Sequence, residues 1–192
     1  ISSNIFLMIV KLISFEGVLL KCFRDMVSNV FLGEIEFISV LVVGFKVFDT
    51  EYGKIGCGIC WDQWFPECAR SMTLLGADMI LYPTAIGSEP QDPNLNSKKH
   101  WENVMIGHSA ANQIPIISSN RIGEEIEDDI KINFYGGSFI TDHLGSIQAQ
   151  MDSVTEGVIS HEINVDEIRK FRQSWGNFRD RRPDLYKKIC DF

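Results

Sequence analysis

The chain has 192 residues, enough for one globular domain, or a large part of one, with a sizeable core. Hydrophobic residues make up 45% and charged residues 23%, an ordinary composition for a soluble domain. The net charge of −8 argues against nucleic acid as a partner, because phosphate binding needs concentrated Lys and Arg. The same charge is compatible with a small cationic substrate.

The cysteines do not have the pattern of a disulfide framework, because their number is odd and their spacing is irregular. They are Cys22, Cys57, Cys60, Cys68 and Cys190. We therefore expect a reducing compartment and a cytoplasmic protein.

The first part of the chain, residues 1–43, is apolar with scattered charges and little turn punctuation. Its apolar stretch is broken by Lys11 and Glu16, and falls short of the roughly 18 apolar residues that a membrane span needs. A basic start and a small-residue cleavage site, the marks of a secretory signal, are not clear either. We therefore expect no membrane partner.

From Phe45 onward, short apolar runs alternate with helical patterns, which predicts an α/β fold with a sheet covered by helices. A buried strand is predicted over residues 54–59, a helix over 66–75 that ends at Gly76, and a strand over 79–82. A polar loop over residues 87–97 then leads to a second helix. Its apolar face is predicted to carry Trp101, Val104, Met105, His108 and Asn112.

The later part of the chain is predicted to add more strands and one further helix. Strands are expected at residues 114–118, 138–142, 146–150 and 157–163, with a turn at Gly145 and a helix at 165–172. Residues 122–131 are expected to form an acidic connector, since a charge run of this kind is typical of a solvated segment. The acidic residues in that run are Glu124, Glu125, Glu127, Asp128 and Asp129.

Cys60 is the candidate nucleophile, because it lies where a buried strand meets the start of a helix. A side chain in such a sharp turn is held rigidly, and backbone N–H groups there can support a thiolate and a developing oxyanion. By position alone a plain core cysteine is the more common interpretation, since Cys is among the most buried residue types.

Two other chemistries stay open on the sequence alone. Cys57 and Cys60 form a C-x-x-C pair, typical of a redox pair or half of a zinc site. Residues three apart on a strand point to opposite faces, however, and the sequence has no second Cys pair with metal spacing. A Cys–His hydrolase would use His108 as its base. The apolar helix face around His108 favours a core histidine instead.

Several runs of the sequence resemble one enzyme family. The run from Ile59 to Glu67 reads Ile-Cys-Trp-Asp-Gln-Trp-Phe-Pro-Glu, and further similar runs cover residues 81–92, 119–123, 134–140 and 175–186. The first run resembles the nucleophile motif of the nitrilase superfamily, the carbon–nitrogen hydrolases. The longer runs look like its plant-type N-carbamoylputrescine amidases. The resemblance covers most of the chain.

The resemblance implies a partial nitrilase-type α-β-β-α sandwich, a Cys–Glu–Lys triad without metal or organic cofactor, and a homo-oligomer. It implies that Cys60 attacks the ureido carbonyl of N-carbamoylputrescine and that ammonia leaves. Water would resolve the carbamoyl thioester to putrescine and carbon dioxide, a step of polyamine biosynthesis. The backbone N–H of Trp61 would help to hold the oxyanion.

The far end of that substrate is an ammonium, which a carboxylate or an aromatic surface can bind. Glu89 and Asp92, in the loop after the second strand, are the candidates, although acids in loops are commonly only solvated. Trp61 and Trp64 are candidates to line a pocket, and core packing would explain them equally well. Asp62 is expected to cap the helix that follows it.

In the family, the catalytic Glu and Lys precede the nucleophile. The stretch before Cys60 is too short here to hold that half of the fold, and residues 1–43 do not match it convincingly. Phe15-Glu16-Gly17 is faintly similar to the segment after the catalytic Glu, but that alignment places Ile13 at the base position.

We therefore expect impaired activity from a truncated or mis-spliced gene product. It would consist of an atypical segment, residues 1–43, and the C-terminal part of a hydrolase domain, residues 44–192. Two alternatives stay open: a non-catalytic fragment that binds or assembles with full-length subunits, and a related amidase or ureidopropionase-like hydrolase.

Overall fold

The structure, a computed structural model, describes residues 4–9, 44–92, 94–127 and 130–191. Strands and α-helices alternate along these ranges. In chain order they are β1 (Asn4–Ile9), β2 (Lys46–Thr50), β3 (Gly53–Cys57), α1 (Pro66–Leu74), β4 (Met79–Thr84), α2 (Lys98–Asn112), β5 (Ile116–Asn120), β6 (Ile122–Glu127), β7 (Ile130–Tyr135), β8 (Phe139–Thr141), β9 (Ile147–Gln150), β10 (Ile159–Asn164) and α3 (Val165–Trp175). Short 3-10 helices cover Cys60–Trp64, Pro183–Leu185 and Lys187–Cys190.

The largest sheet has the strand order β2-β3-β4-β5-β8-β9. Its central strands β3, β4 and β5 are parallel, and α1 and α2 supply the crossovers that parallel strands require. The outer strands pair antiparallel. The predicted α/β class is confirmed, and the strand, turn, helix and strand expected around Cys60 are present in that order.

Each face of this sheet is covered by a different layer. In β4, Ile80 and Tyr82 belong to the core under α1 and α2, whereas Met79 belongs to the core on the opposite face, because side chains alternate along a strand. The second core is closed by Ile163 of β10 and Ile168 of α3, and β10 pairs with β1. The expected partial α-β-β-α sandwich is thereby confirmed.

The apolar face predicted for the second helix is the face that α2 buries. Trp101, Met105, His108 and Asn112 are buried, and Val104 packs against the same core while partly exposed. Within the ranges that the structure covers, no helix is both long enough and apolar enough to cross a lipid bilayer.

The prediction of an acidic connector at residues 122–131 is wrong, because the described residues on both sides of 128–129 pair as the antiparallel strands β6 and β7. Ile130, Ile132 and Phe134 recur at every second position, and this period of two favours a strand over a loop. Opposite charges support the pairing, since Lys131 forms an ion pair with Glu124 at 2.6 Å. The expectation that the acidic residues are solvated agrees with the exposure of those that the structure describes.

Several element boundaries differ from those predicted, and two of the differences have a clear local cause. The strand expected at 114–118 begins at Ile116, because Gln113 adopts a left-handed φ of 52° and Ile114 still donates its N–H to the Ser109 carbonyl. Helix α3 runs past the predicted residue 172 to Trp175 and ends where Gly176 adopts a φ of 81°.

An ion pair fastens α3 to the amino ends of the parallel strands. Asp78, just before β4, is 3% exposed and accepts hydrogen bonds from Arg169 at 2.9 and 2.6 Å. The same carboxylate accepts the N–H of Lys54 at 2.8 Å. Arg172 donates to the carbonyls of Ala77 and Gln113 nearby. These interactions lie at the amino ends of the parallel strands, opposite to Cys60, which follows the carboxyl end of β3.

Candidate functional site

Cys60 lies in a sharp turn just beyond the carboxyl end of β3. The N–H of Gly58 still donates to the Leu81 carbonyl on β4 at 3.1 Å, so pairing with β4 continues to two residues before the cysteine. Cys60 itself has a φ of 46°, in the left-handed region that residues with a side chain rarely adopt. Such a conformation costs on the order of 1–3 kcal/mol and persists only where the surrounding structure fixes it.

A 3-10 helix, Cys60–Trp64, separates this turn from α1. The cysteine therefore lies at the start of a short 3-10 turn and not at the start of an α-helix. Asp62, expected to cap α1, instead reaches back and accepts the N–H of Ile59 at 3.0 Å, a short-range bond that Asp side chains readily form. Burial raises the pKa of Asp62, and the Ile59 N–H acts in the opposite direction.

The turn is packed closely against β4 and α1. A Cβ added at Gly58 would lie 2.6 Å from Cε1 of Tyr82 and 3.1 Å from the sulfur of Cys68, so only glycine fits there without movement. The Tyr82 hydroxyl donates to the Cys68 sulfur at 3.8 Å. Burial raises the pKa of the Cys68 thiol to about 12, which keeps this second cysteine protonated and inert.

A side-chain relay ends on the sulfur of Cys60. The indole N–H of Trp101 donates to Oε1 of Gln63 at 2.6 Å, and Nε2 of Gln63 donates to Oγ1 of Thr84 at 2.8 Å. The Thr84 hydroxyl then donates to Sγ of Cys60 at 3.5 Å. Among the described residues, this hydroxyl is the group that hydrogen-bonds the sulfur, and no carboxylate or ammonium group contacts it.

A cavity of about 700 Å³ opens at the carboxyl ends of β4 and β5. Ligands of α/β sheets bind at this edge in general. Its polar lining comes from Thr84, Ser119, Asn120, Arg121, Ser138, Asp152, Thr155 and Glu156. Because Thr84 both lines the cavity and contacts the Cys60 sulfur, the thiol lies one side chain away from the cavity wall. The half-buried sulfur is therefore not sealed inside apolar side chains.

His108 is a core histidine, as the apolar helix face indicated. Its Nε2 lies 2.9 Å from the backbone carbonyl of Gln63, and since a carbonyl only accepts, this nitrogen carries the proton. Burial lowers the pKa of His108. The imidazole thus holds the backbone of the turn through the Gln63 carbonyl and forms no hydrogen bond with Cys60. The Cys–His alternative is therefore without support.

The two cysteines of the C-x-x-C pair are not joined by a disulfide. Cys57 ends β3, and Cys60 lies in the left-handed turn beyond it. Across the described ranges, no group of three or more His, Cys, Asp and Glu side chains is placed to hold a metal ion.

The aromatic candidates follow the nucleophile closely in the chain. Trp61 is 54% exposed, and its ring centroid lies 6.3 Å from that of the half-buried Trp64. The Trp64 ring in turn lies 5.0 Å from the ring of His100. Core packing therefore does not explain Trp61, which presents an aromatic surface to solvent next to Cys60.

The carboxylate candidates lie in the loop after β4. Glu89 is half-buried and Asp92 is exposed, with the Asp92 carboxylate accepting the N–H of Asn94 at 3.1 Å. Neither carboxylate hydrogen-bonds the Cys60 turn. The start of the loop is held by Asn120, which accepts the N–H of Ile86 at 2.9 Å and donates to its carbonyl at 3.1 Å.

Sequence reasoning assigned no role to several polar residues of the site. Gln63 and Thr84 lie inside the runs that carried the resemblance, but their contact joins residues 21 positions apart. Asp152 reaches the cavity from a loop after β9, and hydrogen bonds from Thr155 and Val154 lower its pKa. The pairing of β3 with β4 brings Gln63 to Thr84, and the pairing of β5 with β8 and of β8 with β9 brings Asp152 to the cavity. No local pattern signals these pairings.

Comparison with known proteins adds an independent line of evidence. The sequence profile of the family described as carbon-nitrogen hydrolase matches residues 23–173. This match begins inside the 1–43 segment, whose separation from the remainder stays a prediction.

Two relatives and one solved structure give the degree of likeness. The N-carbamoylputrescine amidase of Arabidopsis thaliana is 56% identical over 150 residues, which cover 76% of this chain and 50% of that protein. The citrullinase of Francisella tularensis is 54% identical over 146 residues, 76% of this chain and 51% of that protein. The crystal structure of a carbon-nitrogen hydrolase from Helicobacter pylori G27 superposes with a TM-score of 0.72 at 38% identity, covering 78% of this chain and 53% of that one. The chain thus spans about half the length of the relatives that it matches.

Proposed function

The chain belongs to the carbon–nitrogen hydrolase family, and on that premise we propose that it acts on a terminal ureido group with Cys60 as the nucleophile. The observation that carries the proposal is the strained left-handed turn at Cys60, whose sulfur contacts a residue of the cavity wall. We propose N-carbamoylputrescine as the substrate, which would place the protein in polyamine biosynthesis.

The proposed reaction has two covalent steps. The Cys60 thiolate attacks the ureido carbonyl carbon, and the tetrahedral oxyanion collapses with expulsion of ammonia to leave a carbamoyl thioester. The backbone N–H of Trp61, next in the chain, is our candidate donor to that oxyanion. Water then cleaves the thioester, which restores the thiol and releases a carbamate that decomposes to putrescine and carbon dioxide.

We propose that Trp61, Glu89 and Asp92 bind the ammonium at the far end of the substrate. Trp61, the residue after the nucleophile, has an exposed ring, and a cation over such a ring is attracted to its face. The Glu89 carboxylate forms no hydrogen bond or ion pair within the described part of the chain, so it is free to accept one from a ligand. The expected result for Glu89→Gln is a raised KM for N-carbamoylputrescine with kcat little changed, because this contact is remote from the reacting carbon.

The name of one relative indicates citrulline as the alternative substrate to N-carbamoylputrescine. Citrulline, the substrate that the name of the Francisella relative indicates, carries a carboxylate as well as an ammonium beyond its ureido group. Acidic side chains at the far end of the site would repel that carboxylate. We therefore expect a higher kcat/KM for N-carbamoylputrescine than for citrulline. The opposite preference would reassign the substrate while leaving the ureido chemistry in place.

We also propose that this chain alone turns over slowly. The base and the cationic oxyanion donor that the family uses are not among the described groups that contact the Cys60 sulfur. Loss of one oxyanion donor lowers rates about 10²–10³-fold in other hydrolases, and without a base at the sulfur both steps lack proton transfer from the described part of the chain. We also propose a cytoplasmic location, which is supported by the lack of a disulfide among the described cysteines.

The test is ammonia release from N-carbamoylputrescine by purified protein, compared with Cys60→Ala and with the control Cys57→Ala. Slow release that is lost in Cys60→Ala and kept in Cys57→Ala supports the proposal. Release that survives in Cys60→Ala contradicts it. No release, together with stable co-purification with a full-length relative, would instead support a non-catalytic fragment that assembles with complete subunits. Size-exclusion chromatography of the chain alone tests the proposed homo-oligomer.

A further inference from the structure

The relay behind Cys60 has a definite direction. An indole N–H can only donate, so the atom of Gln63 that faces Trp101 at 2.6 Å must be the amide oxygen. The amide nitrogen of Gln63 then faces Thr84 and donates to its hydroxyl oxygen at 2.8 Å. Because the Thr84 oxygen accepts this hydrogen bond, its own proton is left to point at the Cys60 sulfur, 3.5 Å away.

The relay is also rigid. Trp101 is 0% exposed and Gln63 is 1% exposed, so neither side chain has room to choose another partner. The backbone carbonyl of Gln63 is held separately by His108 at 2.9 Å. A chain of hydrogen bonds in a buried setting polarises each member, which strengthens the last donor in the chain.

We propose that Thr84 is a hydrogen-bond donor to the Cys60 thiolate, with Gln63 and Trp101 as the positioning residues that orient it. A neutral thiol can donate or accept, but a thiolate only accepts, so the Thr84 hydroxyl favours the ionised form of Cys60. The contact also holds the sulfur beside Thr84, a residue that lines the cavity. The role of this thiolate as a nucleophile rests on the proposed function, whereas its stabilisation does not.

The test measures the reactivity of the thiol without any substrate. The full chain is alkylated with iodoacetamide across a range of pH, and the rate at each cysteine is followed by peptide mass spectrometry. The exposed Cys190 serves as an internal reference. The variants are Thr84→Val, which removes the hydroxyl at nearly constant shape, and Thr84→Ser, which keeps it. Thr73→Val is the matched control, because the Thr73 hydroxyl donates to a carbonyl inside α1.

In Thr84→Val we expect the alkylation of Cys60 at neutral pH to slow about tenfold, the usual scale for a hydrogen bond to a charged group. Thr84→Ser and Thr73→Val should keep the wild-type profile. Gln63→Met should slow the alkylation of Cys60 less, since the hydroxyl remains but is no longer directed. Thermal unfolding of each variant first confirms that it is folded.

An unchanged Cys60 profile in folded Thr84→Val refutes the proposal. So does a shift of equal size in Thr84→Ser, because packing and not the hydroxyl would then set the reactivity of the thiol. Failure of the proposed function is distinguishable: a shifted profile in Thr84→Val without ureidase turnover in the wild type leaves the thiolate contact standing and removes only the enzymatic role.

Discussion

The close packing beneath the nucleophile gives the sharpest prediction. In Gly58→Ala the new methyl carbon would lie 2.6 Å from Cε1 of Tyr82 and 3.1 Å from the sulfur of Cys68, where ordinary contacts are longer than 3.4 Å. Tyr82 and Cys68 are both 0% exposed, so neither can swing aside into solvent. The strain must therefore move the backbone or disturb the core.

Overpacking of this kind costs about 1–3 kcal/mol of unfolding free energy. The site lies two residues before Cys60, so a backbone shift of a few tenths of an ångström passes directly to the nucleophile. Displacements near 1 Å can lower rates about 10²-fold in enzymes. We therefore expect Gly58→Ala to lose stability and also to alter the alkylation rate of Cys60.

The assay is urea unfolding of the wild type, Gly58→Ala and a matched glycine variant, Gly107→Ala. Gly107 lies inside α2, and apart from its chain neighbours and the backbone of its own helix no atom lies within 4 Å of an added Cβ. Alanine there should therefore stabilise the protein by about 0.5–1 kcal/mol through helix propensity. Gly58→Ala within 0.5 kcal/mol of the wild type would refute the argument, since about 1 kcal/mol is its lower limit. A stabilising effect equal to that of Gly107→Ala would do so more strongly.

Three further perturbations test other parts of the structure. Asp78→Asn leaves Arg169 without its carboxylate, and because this Arg side chain is 45% exposed we expect a loss of only about 1–3 kcal/mol in urea unfolding; an unchanged midpoint would show that the pair does not fasten α3. Burial lowers the pKa of His108, so as pH falls the unfolded state takes up the proton before the folded state does. The contribution of His108 to the free energy of unfolding should therefore be full above the unfolded-state pKa near 6.5 and should fall as pH drops from there towards the folded-state pKa. His108→Gln should flatten this part of the plot of unfolding free energy against pH. Cys60→Gly should be about 1 kcal/mol more stable than Cys60→Ala, because only the alanine pays for a φ of 46°; equal stabilities would mean that the turn relaxes.

How far the sequence predicts this structure depends on the range of the interactions. The unit β3–α1–β4 follows from local patterns, and Pro66 and Gly76 mark the ends of its helical segment. The buried face of α2 follows in the same way from helical spacing. Where tertiary pairing decides, prediction failed, as for the acidic stretch whose described residues pair as the strands β6 and β7.

The residues of the candidate site likewise fall into those that local sequence predicts and those that only tertiary contacts bring together. Cys60 and its turn could be placed from one continuous run of sequence, because the strand, the turn and the helix are neighbours in the chain. The partner of the sulfur could not, since Thr84 comes from the end of the next strand and is oriented through Gln63 by a residue of α2. Hydrogen-bond direction depends on which donors are buried together, and a linear pattern carries no such information.

The strained backbone conformation of Cys60 is held in place by the hydrogen bonds around it. A left-handed cysteine would relax if its neighbours allowed it, but the N–H of Ile59 is held by Asp62 and the N–H of Gly58 by β4. The side chain is held by Thr84 from a third direction. These contacts hold the backbone just before Cys60 and also hold its sulfur. Together they keep the turn from relaxing to an unstrained φ angle. The sulfur is thereby positioned at the carboxyl edge of the sheet by groups that already exist in the unliganded fold, and a substrate carbonyl need not reorganise them on arrival.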